Sequence, residues 1–544
     1  MKRVAHGEPT YIKPPDAGGF FMPFSAIDAF IKADYHSAVF QEAAVSAKKV
    51  IIIGAGLAGL SAGCYSRMNG YDTRIYEHHS KPGGVAASWR RGDYLVDGGI
   101  HFITGYKNGT DLYNIYRQLG VADPANFAAM KSYGSFIDIE QGRQLDIPVN
   151  ISELALEMKM LSPADAPLID DLVAAVHAFS GKDLATYGQL NPPELTSGMD
   201  RLTAIWKMRG LVKYMSGRYA KSMAEYTSLM QSRWLADCLN NLFTPHVPVW
   251  FVVMLLALAG DGQISYLARG CKDFVRRIEK RYKDLSGELT YSATVEKILV
   301  QNDCAIGVRL ADGTEDYADY VISAGDIYNT VFHLLDGRYI GKKLQNKFDT
   351  SELSLPYFVA SFGVKRTFEN ENVFNTIFLK KPLQVGDREV RQLFLRIFNY
   401  SSHFAPEGKS VIQVEFETEW VYWNNLKQTD LSKYTAEKER LAAEILDNLD
   451  MLYSGVSQAV DVRDIATPCT FSHYTLNHQG APEGWGLTAL NFKAESRRTL
   501  EGLSNLYLAG HWVSGGVPGV ILSGRQAVQL ICAKEKKTFF TRTT

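Results

Sequence analysis

The stretch "KKVIIIGAGLAGLSAGCYSRMNGYDTRIYE", Lys48 to Glu77, constrains this chain more than any other. The β-branched run KVIII predicts a strand. Leu57, Leu60 and Ala62 fall on a helix, and DTRIYE after the Gly70 stop predicts a second strand. Between the first strand and the helix, Gly54, Gly56 and Gly59 have GxGxxG spacing, and Glu77 closes the second strand 18 residues after Gly59. The first glycine permits a tight turn, the second lets a diphosphate approach the backbone, and the third lets helix and strand pack closely. Negative charge then rests against the helix N-terminus while the acid accepts from a ribose hydroxyl. The pattern predicts a dinucleotide-binding βαβ unit.

The remaining composition narrows what the nucleotide serves. The chain has 544 residues, 46% of them hydrophobic and 22% charged, enough for more than one core and too apolar for disorder. A formal net charge of −1 excludes the basic footprint of a nucleic-acid binder. Six scattered cysteines without a CxxC pair form neither a metal site nor a disulfide framework, so a cytoplasmic, reducing setting is expected, with no metal. The first 47 residues read as a polar extension without the apolar core of an export signal. "VPVWFVVMLLALAG", from Val247 to Gly260, is shorter than the ~20 residues of a spanning helix and reads as a buried helix or pocket wall.

The order of segments predicts an α/β fold in which a Rossmann-type nucleotide domain is discontinuous and carries an inserted α+β substrate domain. Residues 48–110 supply its first part. Residues 111–265 form a mainly helical region facing substrate or membrane. Residues 266–335 return to the first domain through short strands with Asn-Asp and Asp-Gly turns, ending in the buried strand Tyr320 to Ser323. Residues 336–485 supply a substrate-domain sheet, residues 486–535 complete the nucleotide domain, and 536–544 are a tail.

Further glycines decide between flavin and nicotinamide. Gly83 and Gly84, then Gly98 and Gly99, offer backbone along an extended cofactor. Gly515, Gly516 and Gly519 precede a helix whose first N–H groups can stabilise charge on a reduced isoalloxazine. No second GxGxxG follows a strand in the middle of the chain, so electrons are expected to leave to an external acceptor or donor rather than a bound NAD(P)H.

The motifs IIIGAGLAGLSAG, KPGGVAASW, DGGIHF, TVEKILVQNDCAIGVRLADG, VISAGD, TPCTFSHYTLNHQGAPEGWG and NLYLAGHWVSGGVPGVILSGRQA occur in order. In them the chain resembles the phytoene desaturase, carotenoid isomerase and retinol saturase group of FAD-dependent oxidoreductases. The resemblance implies FAD and an apolar, isoprenoid-like substrate. It also implies cofactor contacts at Gly54, Gly56, Leu57, Ala58, Gly59 and Glu77, at Gly83, Gly84, Val85, Gly99 and Ile100, and at Val295, His511, Gly519 and Val520. Two positions depart from the group. Val85 stands where desaturases often carry Arg, and His511 follows Gly510 where an Asp is usual.

The resemblance places His101 of GGIHF near the flavin ring, where it can act as a proton donor or polariser; a turn-shaping histidine is the plainer reading. Tyr474 and Trp485 are candidate pocket walls, or simply packed aromatics. Ile205, Met208, Val212, Met215 and Tyr219, interleaved with Lys207, Arg209, Lys213, Arg218 and Lys221, predict a basic amphipathic helix that either docks on an anionic membrane or covers a core stripe. The expected activity is desaturation, saturation or cis–trans isomerisation of carbon–carbon bonds by hydride exchange with flavin N5. An amine oxidase-like oxidase and a non-catalytic lipid or prenyl carrier are the alternatives.

Overall fold

The computed structural model describes residues 47–184, 186, 190–493 and 496–541. The N-terminal extension, apart from its last residue, and residues 542–544 lie outside the described residues.

The strand Lys49–Ile53 is the centre of a five-stranded parallel sheet with the order Glu288–Thr290, Asp72–Tyr76, Lys49–Ile53, Tyr320–Ser323, Leu506–Leu508. Val50 and Ile52 point to one face and Ile51 to the other, and all three are fully buried. That is why this strand reads as an unbroken apolar run, as central parallel strands do. The first face carries the helices Leu57–Met68, Gly270–Asp284 and Gly516–Lys534. The second carries an antiparallel meander, Val295–Gln301, Cys304–Leu310 and Glu315–Tyr317. Its first turn is made by Asn302 and Asp303, both at positive φ, as a tight two-residue hairpin requires.

A second, seven-stranded sheet builds the other half of the molecule, in the order Val460–Ala466, Tyr357–Val364, Ser410–Glu417, Arg388–Ile397, Phe374–Val385, Ser132–Asp138, Arg143–Pro148. Its last two strands come from the region expected to be mainly helical. One face is sealed by the helix Leu431–Leu452 through Leu441, Ile445, Leu446 and Leu449. At about 1.5–3 kcal/mol for each large aliphatic side chain buried, this contact stabilises the sheet strongly. The helices Ile151–Leu161, Ala166–Phe179, Arg233–Asn240 and Val249–Gly260 share a separate core beside the sheet. No helix among the described residues is long and apolar enough to cross a membrane.

The expected continuous helix from Ile205 to Tyr219 does not form. The helix Gly198–Lys207 stops at Met208, and two 3₁₀ turns, Val212–Met215 and Gly217–Ala220, follow. Gly210 weakens helix continuation, and Gly217 sits at φ 56°, which no right-handed helix admits. The apolar face is therefore not the expected stripe. It lies on the shorter helix, where Met199, Leu202, Ile205 and Trp206 are each at least 60% exposed.

Candidate active site

The site begins where the first strand turns into the helix Leu57–Met68. Gly54 takes φ 95°, a left-handed conformation that disfavours any side chain. At Gly59 a Cβ would lie 1.9 Å from the Gly54 carbonyl, so close packing explains that glycine. Gly56 is explained by neither cause. Its φ is −69°, and a Cβ there would meet no atom within 4 Å. The space in front of Gly56 is kept free, and no side chain caps the helix that starts beside it. Uncapped N–H groups behind an open glycine make an anion cradle. Leu57 and Ala58 are buried in the first helical turn.

The second glycine pair closes onto this turn. Gly83 donates its N–H to the Ala55 carbonyl at 2.9 Å and bridges to Gly56, so Gly84 lies alongside. Gly84 and Gly99 are both exposed. A Cβ on Gly99 would lie 2.3 Å from the Val85 carbonyl, and Ile100 beneath it is buried. Glu77 is 7% exposed; its carboxylate accepts from Ala55 N–H at 2.6 Å and from His79 N–H at 2.7 Å. Burial pushes its carboxyl above the ordinary value, opposed by those two hydrogen bonds. Glu77 thus ties both glycine loops together. Val295 is buried at the start of the meander, close to the point where Ala293 N–H donates to the Glu77 carbonyl.

The C-terminal segment completes the groove. Gly510 N–H donates to the Ser523 hydroxyl at 2.8 Å, and Ala509 N–H to the Ser323 carbonyl at 2.9 Å, which brings His511 to the end of the parallel sheet. The His511 Nε2 atom is buried without a hydrogen-bond partner, and burial lowers its imidazole pKa to about 4. A neutral histidine with an orphaned ring nitrogen is suited to a hydrogen bond with a neutral or anionic cofactor oxygen, but it supplies no charge. Gly519 packs on Ser514, where a Cβ would come within 2.5 Å of the hydroxyl oxygen, and Val520 follows it in the first turn of the helix Gly516–Lys534. Open Gly56, exposed Gly84 and Gly99, the uncapped helix and the orphaned His511 nitrogen together fit an extended dinucleotide such as FAD.

A cavity of about 1220 Å³ opens from Gly84, Val85 and Gly99 onto the free face of the seven-stranded sheet. His101 stands in its wall between the rings of Phe374 and Phe394, 6.1 and 5.4 Å away. Its Nε2 lies 2.5 Å from Glu415 Oε1. The turn that carries His101 is anchored by fully buried Asp97, which accepts from Cys271 N–H at 2.8 Å and from the Ser88 hydroxyl, while Gln413 donates to the Asp97 carbonyl at 3.1 Å. Glu483, on the same cavity, accepts from Gly516 N–H at 3.3 Å, and burial raises its carboxyl above the usual range.

Sequence reasoning missed Glu415 and Glu483. Glu415 belongs to the alternating run Gln413, Glu415, Glu417 within Ser410–Glu417, which reads as an ordinary solvent face. Of the two aromatics, Tyr474 lines the cavity with its ring edge-on to His79 at 5.0 Å, whereas Trp485 packs against Phe348 and Trp512 and lines no part of it. Tyr474 and Trp485 therefore do not face the cavity as a pair.

A family model described as flavin containing amine oxidoreductase matches residues 57–532. The chain is 23% identical to the chloroplastic prolycopene isomerase of Daucus carota, over 89% of this chain and 80% of that protein. It is 25% identical to the lycopene-forming phytoene desaturase of Pseudescherichia vulneris, over 89% and 99%. Among solved structures, an oxidoreductase from Methanosarcina mazei superposes with a TM-score of 0.58 at 16% identity, covering 88% of this chain and all of that one. A putrescine oxidase variant gives 0.58 at 14% identity, over 89% and 99%. These two likenesses concern the fold.

Proposed function

Because this chain belongs to the flavin containing amine oxidoreductase family and is an FAD-dependent oxidoreductase of the carotenoid desaturase and isomerase type, we propose that it makes, removes or isomerises carbon–carbon double bonds in an apolar, isoprenoid-like substrate. The supporting observation is the large cavity, which has the glycine turns of the cofactor groove on one wall and the His101–Glu415 pair on another. FAD, when bound, supplies the hydride acceptor or donor for carbon. Gly56, Gly84 and the N-terminus of Leu57–Met68 hold its diphosphate, Glu77 its ribose, and His511 a polar oxygen.

His101 exchanges a proton with the substrate through Nδ1, while the Glu415 carboxylate beside Nε2 steadies the charge that proton uptake creates. Phe374 and Phe394 hold the ring by edge-on contacts. Desaturation sends a proton to His101, saturation takes one from it, and isomerisation uses both directions without net change. Glu483 covers the first N–H of the C-terminal helix and adds a second negative neighbour to His101.

Substrate of this kind dissolves in membranes. The exposed face of Gly198–Lys207, with Lys207, Arg209 and Lys213 beside it, is suited to peripheral contact with an anionic bilayer. The test of the reading is product analysis. FAD-loaded protein incubated with cis and trans carotenes in anionic liposomes should change their double-bond count or geometry on chromatography. Unchanged carotenes with both oxidised and reduced flavin would remove it.

A further inference from the structure

On the helix Gly270–Asp284, Arg281 donates to the Gln118 carbonyl at 3.1 Å, and the other basic side chains divide into two groups. Arg277, Lys280 and Lys283 each hold a carboxylate within 4 Å: Asp123 and Asp273, Asp284, and Glu279 respectively. Lys272 and Arg276, four residues apart on the face that lines the cavity, have no acidic partner at that range among the described residues. Lys81, in the loop before the second glycine pair, lines the same cavity near Lys272 and likewise has no carboxylate within 4 Å among the described residues. Lys272 is close enough to Arg276 and to Lys81 to be repelled by both. The Lys272 ammonium is held below its usual value first by burial and then by Arg276, Lys81 and Arg90. Like charges at this spacing on a helix destabilise it, and an unpaired cluster at a cavity concentrates anions. A wholly apolar substrate filling that corner would strip water from the cations and give nothing back.

We infer that Lys81, Lys272 and Arg276 form a binding site for the carboxylate or phosphate end of an otherwise apolar substrate. This rests on the isoprenoid reading above and narrows it to amphiphiles: the chain lies along the sheet beside His101, and the anion anchors it at the far corner. The same chemistry has a second source in the FAD diphosphate, since Val85 leaves a position without the cation that desaturases often carry there. The experiment separates the two.

All-trans-retinoate and all-trans-retinol, which share a chain and differ in charge, are titrated into FAD-loaded protein, with binding read from perturbation of the flavin spectrum. Wild type should hold the acid roughly tenfold more tightly than the alcohol, as expected for one charge-assisted contact. The preference should shrink with added salt. The double variant Lys272→Met/Arg276→Gln breaks no ion pair; it should lose the preference while keeping its flavin content and its affinity for the alcohol. Equal binding of acid and alcohol by wild type overturns the anionic anchor and leaves the isoprenoid reading standing. Loss of flavin from the variant, with the preference intact in what remains loaded, overturns it in favour of the cofactor diphosphate. Failure of both ligands to bind overturns the anchor and the isoprenoid reading together.

Discussion

His101 and Glu415 meet across the cavity wall, Nε2 to Oε1 at 2.5 Å, although 314 positions separate them in the chain. One comes from a glycine turn of the nucleotide domain and the other from the middle of a strand in the second sheet. The pairing therefore exists only when the two halves of the molecule are docked. It places a titratable ring where cofactor groove and cavity join.

Removing that ring should damage chemistry and spare the cofactor. His101→Ala should retain normal flavin content and lower the rate of double-bond conversion by about 10² to 10⁴, the usual contribution of a positioned acid or base. Glu415→Gln should slow the reaction less, since the ring keeps a neighbour and loses only its counter-charge. An unchanged rate in His101→Ala would reduce this residue to a turn-shaping role.

The three glycines of the first turn should separate by phenotype. Gly56→Val places its side chain in open space, so the protein should fold with unchanged thermal stability and purify without flavin. Gly59→Ala drives a Cβ to 1.9 Å from a carbonyl and should lower stability whether or not cofactor is present. A yellow Gly56→Val protein with a full complement of flavin would show that the diphosphate lies elsewhere.

His511 gives the flavin-free protein a defined pH dependence. Its imidazole titrates near 6.5 in the unfolded chain and at about 4 in the fold. Between those values the unfolded chain binds a proton that the folded chain refuses, so the stability attached to this group is complete above 6.5 and is lost as pH falls toward 4. His511→Gln removes the titration. In urea melts of flavin-free protein at pH 7.5 and pH 5, the wild-type midpoint should fall further than that of the variant; equal falls would mean that His511 is charged in the fold.

Much of this was legible in the sequence, and the limits have physical causes. The strand, tight turn and helix around the GxGxxG spacing and the helix start at the C-terminal glycines could be read because each is a local constraint, set by a backbone angle, a close approach or a helix start. The parallel return at Tyr320 could be read because a doubly buried strand is apolar throughout. Glu415 could not be assigned, since alternation predicts a polar face without saying whether water or a cavity lies over it. Trp485 stayed between two readings because a large aromatic packs equally well in a core as in a pocket wall, and it packs in the core. The 205–221 stretch kept its periodicity on paper, while Gly210 and Gly217 ended the helix.

The exposed apolar face of Gly198–Lys207 makes membrane contact directly testable. Trp206 is 64% exposed on Gly198–Lys207, so its fluorescence should shift to the blue on mixing with anionic vesicles. Leu202→Ser/Ile205→Ser should weaken flotation with the vesicles. Reversing Lys207, Lys213 and Lys221 to Glu should abolish it, at up to ~1 kcal/mol for each lysine near the surface. Equal flotation of wild type and both variants would leave this helix as a solvated surface.

Carbon–carbon and amine chemistry at this site are separated most directly by the anaerobic spectrum of the FAD-loaded protein mixed in parallel with isoprenoid polyenes and with primary amines. Action on carbon–carbon double bonds should move the polyene absorption maximum, with bleaching of the oxidised flavin bands if the reaction is a desaturation, while amines leave both flavin and spectrum unchanged. Rapid bleaching by an amine, with every polyene spectrum unaltered in both flavin redox states, would contradict it and assign the site to amine oxidation.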